Sequence, residues 1–322
     1  MRAIQLTEFG NPVDVLNVVE IPEPPEPGAD EVLINVEFSP VNPNDLSLAR
    51  GTYGVRPRLP AVIGNEGVGR VLRVGSAVDT VSVGDRVLLP LHSFAWRERM
   101  VIAARDLFSL PQQADPRQLA MLGINPPTAA LLLSEFVSLR AGDWVLQNAA
   151  NSGVGRWVIA FAKAHGLRTV NLVRRPELVK EIEALGGDAV LLDSPDVGPE
   201  IKRAIGGADL RLALDGVGGA ATGILAAALG LQGTAVLYSA MSRAANVVNP
   251  LDVIFRALTI RGFFVGHPQH AQKIPAAIKE AAALLAAGDV SIPVAAVYPL
   301  GKVKDAVAHV QRGGKVLLDI TA

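Results

Sequence analysis

The chain has 322 residues, 30 lysines and arginines against 31 aspartates and glutamates, and 50% hydrophobic content, enough to build one large or two ordinary globular cores. A net charge of −1 with scattered basic residues excludes electrostatic recruitment to nucleic acid or an acidic membrane and leaves a small-molecule partner as the expectation. The absence of cysteine removes disulfides, thiolate nucleophiles and thiolate metal sites together.

The first ten residues alternate like a strand and carry neither a hydrophobic leader nor an arginine- and serine-rich transit segment, which makes the cytoplasm the default address. Residues 1 to about 120 are β-rich, with short apolar runs such as Val32 to Val36 and Val68 to Val74 punctuated by proline and glycine, a spacing that predicts a compact sheet or barrel. From Pro126 onward buried strands are predicted at 144–148, 169–173, 189–192, 210–215, 234–238 and 259–264. Helices are predicted between them at 155–165, 176–185, 199–204, 220–229 and 250–256. This alternation is the sequence form of an α/β doubly wound parallel sheet, whose ligand lies beyond the strand C-termini near the switch point. Residues 216–242 are 27 uncharged positions, enough to span a bilayer, but six glycines divide them into turn, short helix, turn and strand. A helix over 271–287, a segment over 294–299 and a final strand over 315–320 follow, the last expected to return to the β-rich unit.

Residues 143–155 join an apolar strand to an amphipathic helix through a turn of small residues, the pattern of a pyrophosphate cradle. There the backbone must approach the phosphates closely, and a helix start offers free N–H groups and partial positive charge. Ala150, Gly153 and Gly155 fill the close positions; a plain tight turn is the alternative. The second strand ends in Arg174-Arg175, 19 residues after Gly155, with no intervening acid to hold a free ribose hydroxyl. That pair favours the 2′-phosphate of NADPH over NADH. Two solvated arginines are the competing reading, although cations at a helix start are disfavoured unless an anion compensates.

Asn42-Pro43-Asn44-Asp45, Arg50-Gly-Thr-Tyr-Gly54, Leu59 to Gly67, Val83-Gly-Asp-Arg-Val87, Gly123-Ile-Asn-Pro-Pro-Thr128, Gln147 to Gly155 and Arg261-Gly-Phe-Phe264 follow one another in a familiar order. In that order the chain resembles the medium-chain dehydrogenase/reductase superfamily and, within it, the mitochondrial-type trans-2-enoyl-CoA/acyl-carrier-protein reductases. The resemblance implies a Rossmann cofactor domain over 122–266, a GroES-like catalytic domain over 1–121 and 267–322, and a homodimer paired near 259–264. The zinc alcohol dehydrogenases of the superfamily place a ligand histidine where this chain has Asn65, and use cysteine besides. Glu66 alone cannot make a three-ligand catalytic site, and His267 with His270 reads as surface histidines.

Tyr53 stands at the family's catalytic-tyrosine position. A phenol with an ordinary pKa near ~10 stays protonated at neutral pH and can donate to a developing enolate; a turn aromatic packed on the sheet is the plainer reading. For the cofactor, the resemblance assigns Asn125 beside the nicotinamide and Asn151, Ser152, Gly153, Val154 and Gly155 to the phosphate turn. It assigns Arg174 and Arg175 to the adenosine phosphate, Tyr238 and Met241 to a nicotinamide-side loop, Phe263, Phe264 and Val265 to the carboxamide, and Lys315 to a contact from the C-terminal strand. Tyr238-Ser-Ala-Met241 departs from the family's Tyr-Gly-Gly-Met. The expected activity is NADPH-dependent reduction of the C2=C3 bond of 2-enoyl thioesters, carried by CoA or acyl carrier protein. A zinc-free quinone or enone reductase is the alternative, and a non-catalytic NADPH-binding protein a third reading.

Overall fold

A computed structural model describes residues 1–322, which fall into two compact units. One comprises Met1–Ile124, Ile278–Ala286 and Ser291–Ala322; the other comprises Asn125–Ala277 and Ala287–Val290.

The first unit is built on two sheets. Its larger sheet runs Val294–Pro299, Lys315–Asp319, Glu31–Val41, Val68–Val74, Arg86–Leu88 and Phe108–Ser109, with Arg99–Ala103 also paired to Glu31–Val41. Glu31–Val41 is long and rich in β-branched residues, and register shifts at Leu33/Ile34 and Val36/Phe38 bend it. Those bends let it serve three neighbours. Ile4, Leu6, Leu16, Ile34, Val36, Trp96, Val316 and Leu318 are fully buried and form its core. The strand Lys315–Asp319 pairs antiparallel with Glu31–Val41, so the chain does return to the β-rich unit as its lone C-terminal strand suggested.

The second unit holds a six-stranded sheet whose five pairings are all parallel. Its order is Ala189–Leu192, Arg168–Val173, Trp144–Gln147, Leu210–Asp215, Thr234–Leu237 and Thr259–Gly262. Direction reverses between Trp144–Gln147 and Leu210–Asp215, which is the switch point of a doubly wound fold. Helices cover both faces, and the central Val145, Leu146, Ala213 and Leu214 lose all exposure. The uncharged stretch resolves as the helix Ala221–Ala228 and the strand Thr234–Leu237, and no helix is long and apolar enough to cross a membrane.

Helix boundaries moved where caps and prolines decide them. The helix expected from residue 155 starts two residues earlier, as Gly153–Ala164, because the Ser152 hydroxyl accepts from Gly155 N–H at 3.1 Å and caps it. The alanine-rich helix begins at Ile274 rather than 271, since Pro275 lacks an N–H and is tolerated only in a first turn. Residues 267–277, assigned from sequence to the β-rich unit, cluster with the parallel sheet. His270 packs on Phe263 with ring centroids 4.9 Å apart, and Lys273 pairs with Glu135.

Candidate active site and cofactor cradle

At the switch point the chain leaves Trp144–Gln147 and turns on side-chain hydrogen bonds. Asn148 Nδ2 donates to Asp215 Oδ1 at 2.7 Å and its Oδ1 accepts from Gly216 N–H at 2.8 Å, joining the ends of the first and fourth strands. Gln147 Nε2 donates to Gly155 O at 3.0 Å and Asn171 Oδ1 at 2.7 Å, bracing the turn from beneath. Ala149 takes a left-handed φ of 47°, and Asn151 and Ser152 lead into the helix Gly153–Ala164. A Cβ at Gly155 would lie 2.5 Å from Ala150 O, and one at Gly153 would lie 2.5 Å from Asn125 Nδ2. Gly153 and Gly155 therefore cannot carry larger residues, and Asn125, which the resemblance put beside the nicotinamide, lies against the turn. Val154 is partly exposed on the same first turn, where helical N–H groups lack partners.

Tyr238 follows the strand Thr234–Leu237, and its N–H donates to Asp215 O at 3.0 Å. Its hydroxyl is buried without a hydrogen-bond partner of good geometry, facing Ser152. Burial pushes the phenol well above its ordinary pKa. An orphaned hydroxyl beside a helix start whose Gly153 and Gly155 admit no Cβ fits a bound pyrophosphate and ribose. Arg174 and Arg175 are exposed just past Arg168–Val173; Arg175 pairs with Glu177 at 3.5 Å. Arg174 faces Asp193, whose carboxyl is pushed up by burial, held back by the Arg174 charge and raised further by Asp215. Met241 is exposed on the following loop. Phe263 and Val265 point inward while Phe264 remains partly exposed, and Phe263 N–H donates to Leu237 O at 2.9 Å. The glycine turn, the helix start and the orphaned Tyr238 hydroxyl are compatible with a dinucleotide, and the two arginines stand exposed at the end of the second strand.

Tyr53 belongs to a polar cluster in the first unit. The helix Pro43–Ala49 starts from Asn42, whose N–H donates to Asp45 Oδ2 at 2.8 Å, the N-cap to N3 contact of a capping box. Asp45 Oδ1 accepts from Asn65 N–H at 3.0 Å and Asn65 Nδ2 at 2.8 Å. Asn42 Nδ2 donates to Glu66 Oε1 at 2.7 Å, and Lys315 Nζ donates to Asn42 Oδ1 at 2.5 Å. The Gly123 and Ile124 amides face the Glu66 carboxylate without closing a well-formed hydrogen bond to Oε2. Asp45, Asn65 and Glu66 are fully buried. Burial drives the Asp45 pKa up to about 7 against three accepted hydrogen bonds, raises Glu66 and lowers Lys315. The two carboxyls and the ammonium are thus shifted towards their neutral forms by the same burial, and they titrate as a coupled group.

The loop after that helix folds back, with Tyr53 N–H donating to Ser47 O at 3.2 Å. Burial raises the Tyr53 pKa, a side-chain contact from Asn44 opposes it, and the Asp45 charge adds to it. The phenol is therefore held protonated at neutral pH. The donor set does not fit zinc: no three His, Cys, Asp or Glu side chains come together around Glu66, Asn65 stands where a histidine ligand would be needed, and cysteine is absent.

Residues 28–112 match the alcohol dehydrogenase GroES-like domain family and residues 153–286 the zinc-binding dehydrogenase family. A mitochondrial enoyl-acyl-carrier-protein reductase of Caenorhabditis elegans is 36% identical over 284 residues, covering 85% of this chain and 80% of that protein. The enzyme of the same name from Rattus norvegicus is 38% identical over 272 residues, covering 82% and 72%. This chain belongs to the enoyl-acyl-carrier-protein reductase family. Among solved structures, the mitochondrial 2-enoyl thioester reductase Etr1p/Etr2p heterodimer of Candida tropicalis superposes with a TM-score of 0.89 at 27% identity over 99% of both chains. The Etr1p/NADP/crotonyl-CoA complex gives 0.88 at 27% over 99% of both. Escherichia coli quinone oxidoreductase complexed with NADPH gives 0.86 at 25%, covering 99% of this chain and all of that one.

The Rossmann sheet with a GroES-like β unit is the architecture of this reductase family, as the motif order implied. The cytoplasmic address is overturned: both quoted relatives carry a mitochondrial name, and the lack of a transit-like composition in the first ten residues did not bear on it. The sequence reading missed Asp193 and the buried Asp45–Glu66 pair. Asp45 had a visible signal, the N3 position after an Asn-Pro helix start. Asp193 had none, because a strand's C-terminal neighbour is identified only by the sheet order.

Proposed function

We propose that this chain is an NADPH-dependent 2-enoyl thioester reductase that saturates the C2=C3 bond of acyl groups carried on CoA or acyl carrier protein. Asn125 lies by the nicotinamide, Asn151, Ser152, Gly153, Val154 and Gly155 hold the cofactor's pyrophosphate side, Arg174 and Arg175 its 2′-phosphate, and Lys315 adds a further cation. Tyr238, Met241, Phe263, Phe264 and Val265 line its nicotinamide end. Bound there, NADPH supplies a hydride for the β-carbon. Tyr53 hydrogen-bonds the enolate that this creates and gives a proton to its α-carbon, a role that needs a phenol kept neutral. The observation that carries the reading is the whole-chain similarity to a reductase solved with NADP and crotonyl-CoA. Among solved structures a protein described as an NADPH:quinone reductase reaches 28% identity against 27% for Etr1p, so the thioester reading is preferred on the 36–38% identity of the enoyl reductases.

The test is NADPH absorbance followed with crotonyl-CoA, hexenoyl-CoA and a benzoquinone in parallel. Oxidation with the thioesters is expected; turnover of the quinone alone would overturn the assignment. A homodimer and the relatives' mitochondrial location belong to the same reading. The dimer is supported by the edge strand Thr259–Gly262, exposed at every position.

A further inference from the structure

His92 lies beside the Tyr53 phenol, its Nε2 3.5 Å from the hydroxyl and the two rings edge-on at 6.1 Å and 63°. The contact is a long one, at the outer limit of a hydrogen bond. The ring is put there by an unusual backbone: His92 has φ 63°, in the left-handed region that few residues with a Cβ adopt. Its loop is tied to the Gly64-Asn-Glu-Gly67 motif along its length. His92 N–H donates to Asn65 O at 2.9 Å, Ala95 N–H to Gly64 O at 2.8 Å and Trp96 N–H to Ile63 O at 2.9 Å. A Cβ at Gly64 would sit 2.3 Å from Trp96 Cδ1, so that pinning needs glycine there. Burial lowers the His92 pKa, which keeps the imidazole neutral, yet the residue retains solvent exposure. A neutral imidazole that touches the phenol and is only partly buried has the form of a proton conduit.

We propose that His92 is a positioning residue that returns the proton to Tyr53 after each turnover, an inference that rests on Tyr53 being the proton donor. When Tyr53 protonates the α-carbon, its O–H bond breaks, the pair stays on the phenolate oxygen, and the enolate pair forms the new C–H bond. His92 Nε2–H then passes its proton to the phenolate while Nδ1 takes one from solvent. Exchange with water restores the starting tautomer. One solvent proton is consumed per turnover and no electrons move in the relay.

Because Tyr53 begins each experiment protonated, the relay is invisible in the first turnover and limiting afterwards. Stopped-flow NADPH absorbance with crotonyl-CoA in excess separates the two. His92→Gly, which suits the left-handed φ, and His92→Asn, which tolerates it, are both expected to keep NADPH affinity and the first-turnover rate. Their steady-state kcat is expected to fall by about tenfold or more, with added imidazole restoring part of it in His92→Gly. Neither variant should slow a Tyr53→Phe enzyme further. Unchanged kcat in either variant, or first and later turnovers slowed together, would overturn the relay; should the glycine variant misfold, the asparagine variant decides alone. Full activity in Tyr53→Phe would instead remove the proton donor itself.

Discussion

Lys315 Nζ and Asn42 Oδ1 meet at 2.5 Å across 273 positions of sequence, placing the cation of the C-terminal strand against the buried Asp45 and Glu66. Removing it leaves two buried carboxylates without a counter-charge. A carboxylate whose folded pKa exceeds its unfolded value holds an extra proton in the native state, so stability falls as pH rises through that window. For Asp45 the window runs from 3.8 to about 7. Lys315→Met raises both carboxyls further, extending the fall above neutrality. Urea unfolding should show a loss of about 3–5 kcal/mol at pH 8 and a clearly smaller one at pH 5. Equal losses at both pH values would show that the cation does not govern the pair.

Replacing Arg174 and Arg175 together by alanine should weaken NADPH binding by about 10- to 100-fold, as expected for losing charge-assisted bonds to a phosphate. Affinity for NADH, which lacks that phosphate, should not change. Fluorescence titration with both nucleotides measures the ratio; parallel losses would assign the arginines to something other than the 2′-phosphate.

Gly155→Ala pushes a methyl within 2.5 Å of Ala150 O. A destabilisation of about 1–3 kcal/mol is expected, together with loss of NADPH affinity, because the turn must open to admit the group. Gly198→Ala, with open space at its Cβ position, serves as the control and should stay within about 0.5 kcal/mol. Calorimetry of the two variants side by side makes the comparison.

The edge strand Thr259–Gly262 presents Ile260 at 40% exposure, and the preceding helix presents Ile254 at 66% and Phe255 at 76%. Exposed apolar side chains along an unpaired strand are what pairing with a second copy covers. Phe255→Asp combined with Ile260→Asp should halve the mass seen by light scattering while leaving unfolding of the single chain nearly unchanged. A parent protein already monomeric at micromolar concentration would exclude the dimer.

The parallel sheet was legible because its strands are apolar on both faces and its turns are marked by glycine: 189–192 and 210–215 stand where periodicity predicted them. The tight turn was legible because close backbone approach leaves a compositional trace, and a Cβ at Gly153 or Gly155 would indeed meet its neighbours at 2.5 Å. The acid–base surroundings of Tyr53 were not. Asp45 and Glu66 look like ordinary surface acids in a list of residues, and only the packing of Asn42, Asn65 and Lys315 around them makes them buried. His92 depends on a single left-handed dihedral, which leaves no periodic signature. The helix starts shifted by two or three residues for the same kind of reason, since one hydroxyl or one proline decides them.

The strand Lys315–Asp319 is hydrogen-bonded between Val294–Pro299 and Glu31–Val41. On the ribosome, Glu31–Val41 is made early and lacks this neighbour until Lys315–Asp319 has emerged. All of Asn125–Ala277 emerges in the interval and can bury its own core first. Until then the early strand carries a bare edge, open to pairing with other nascent chains. A ribosome stalled before Lys315 therefore leaves the nucleotide-binding unit able to fold while the β-rich unit still lacks a strand.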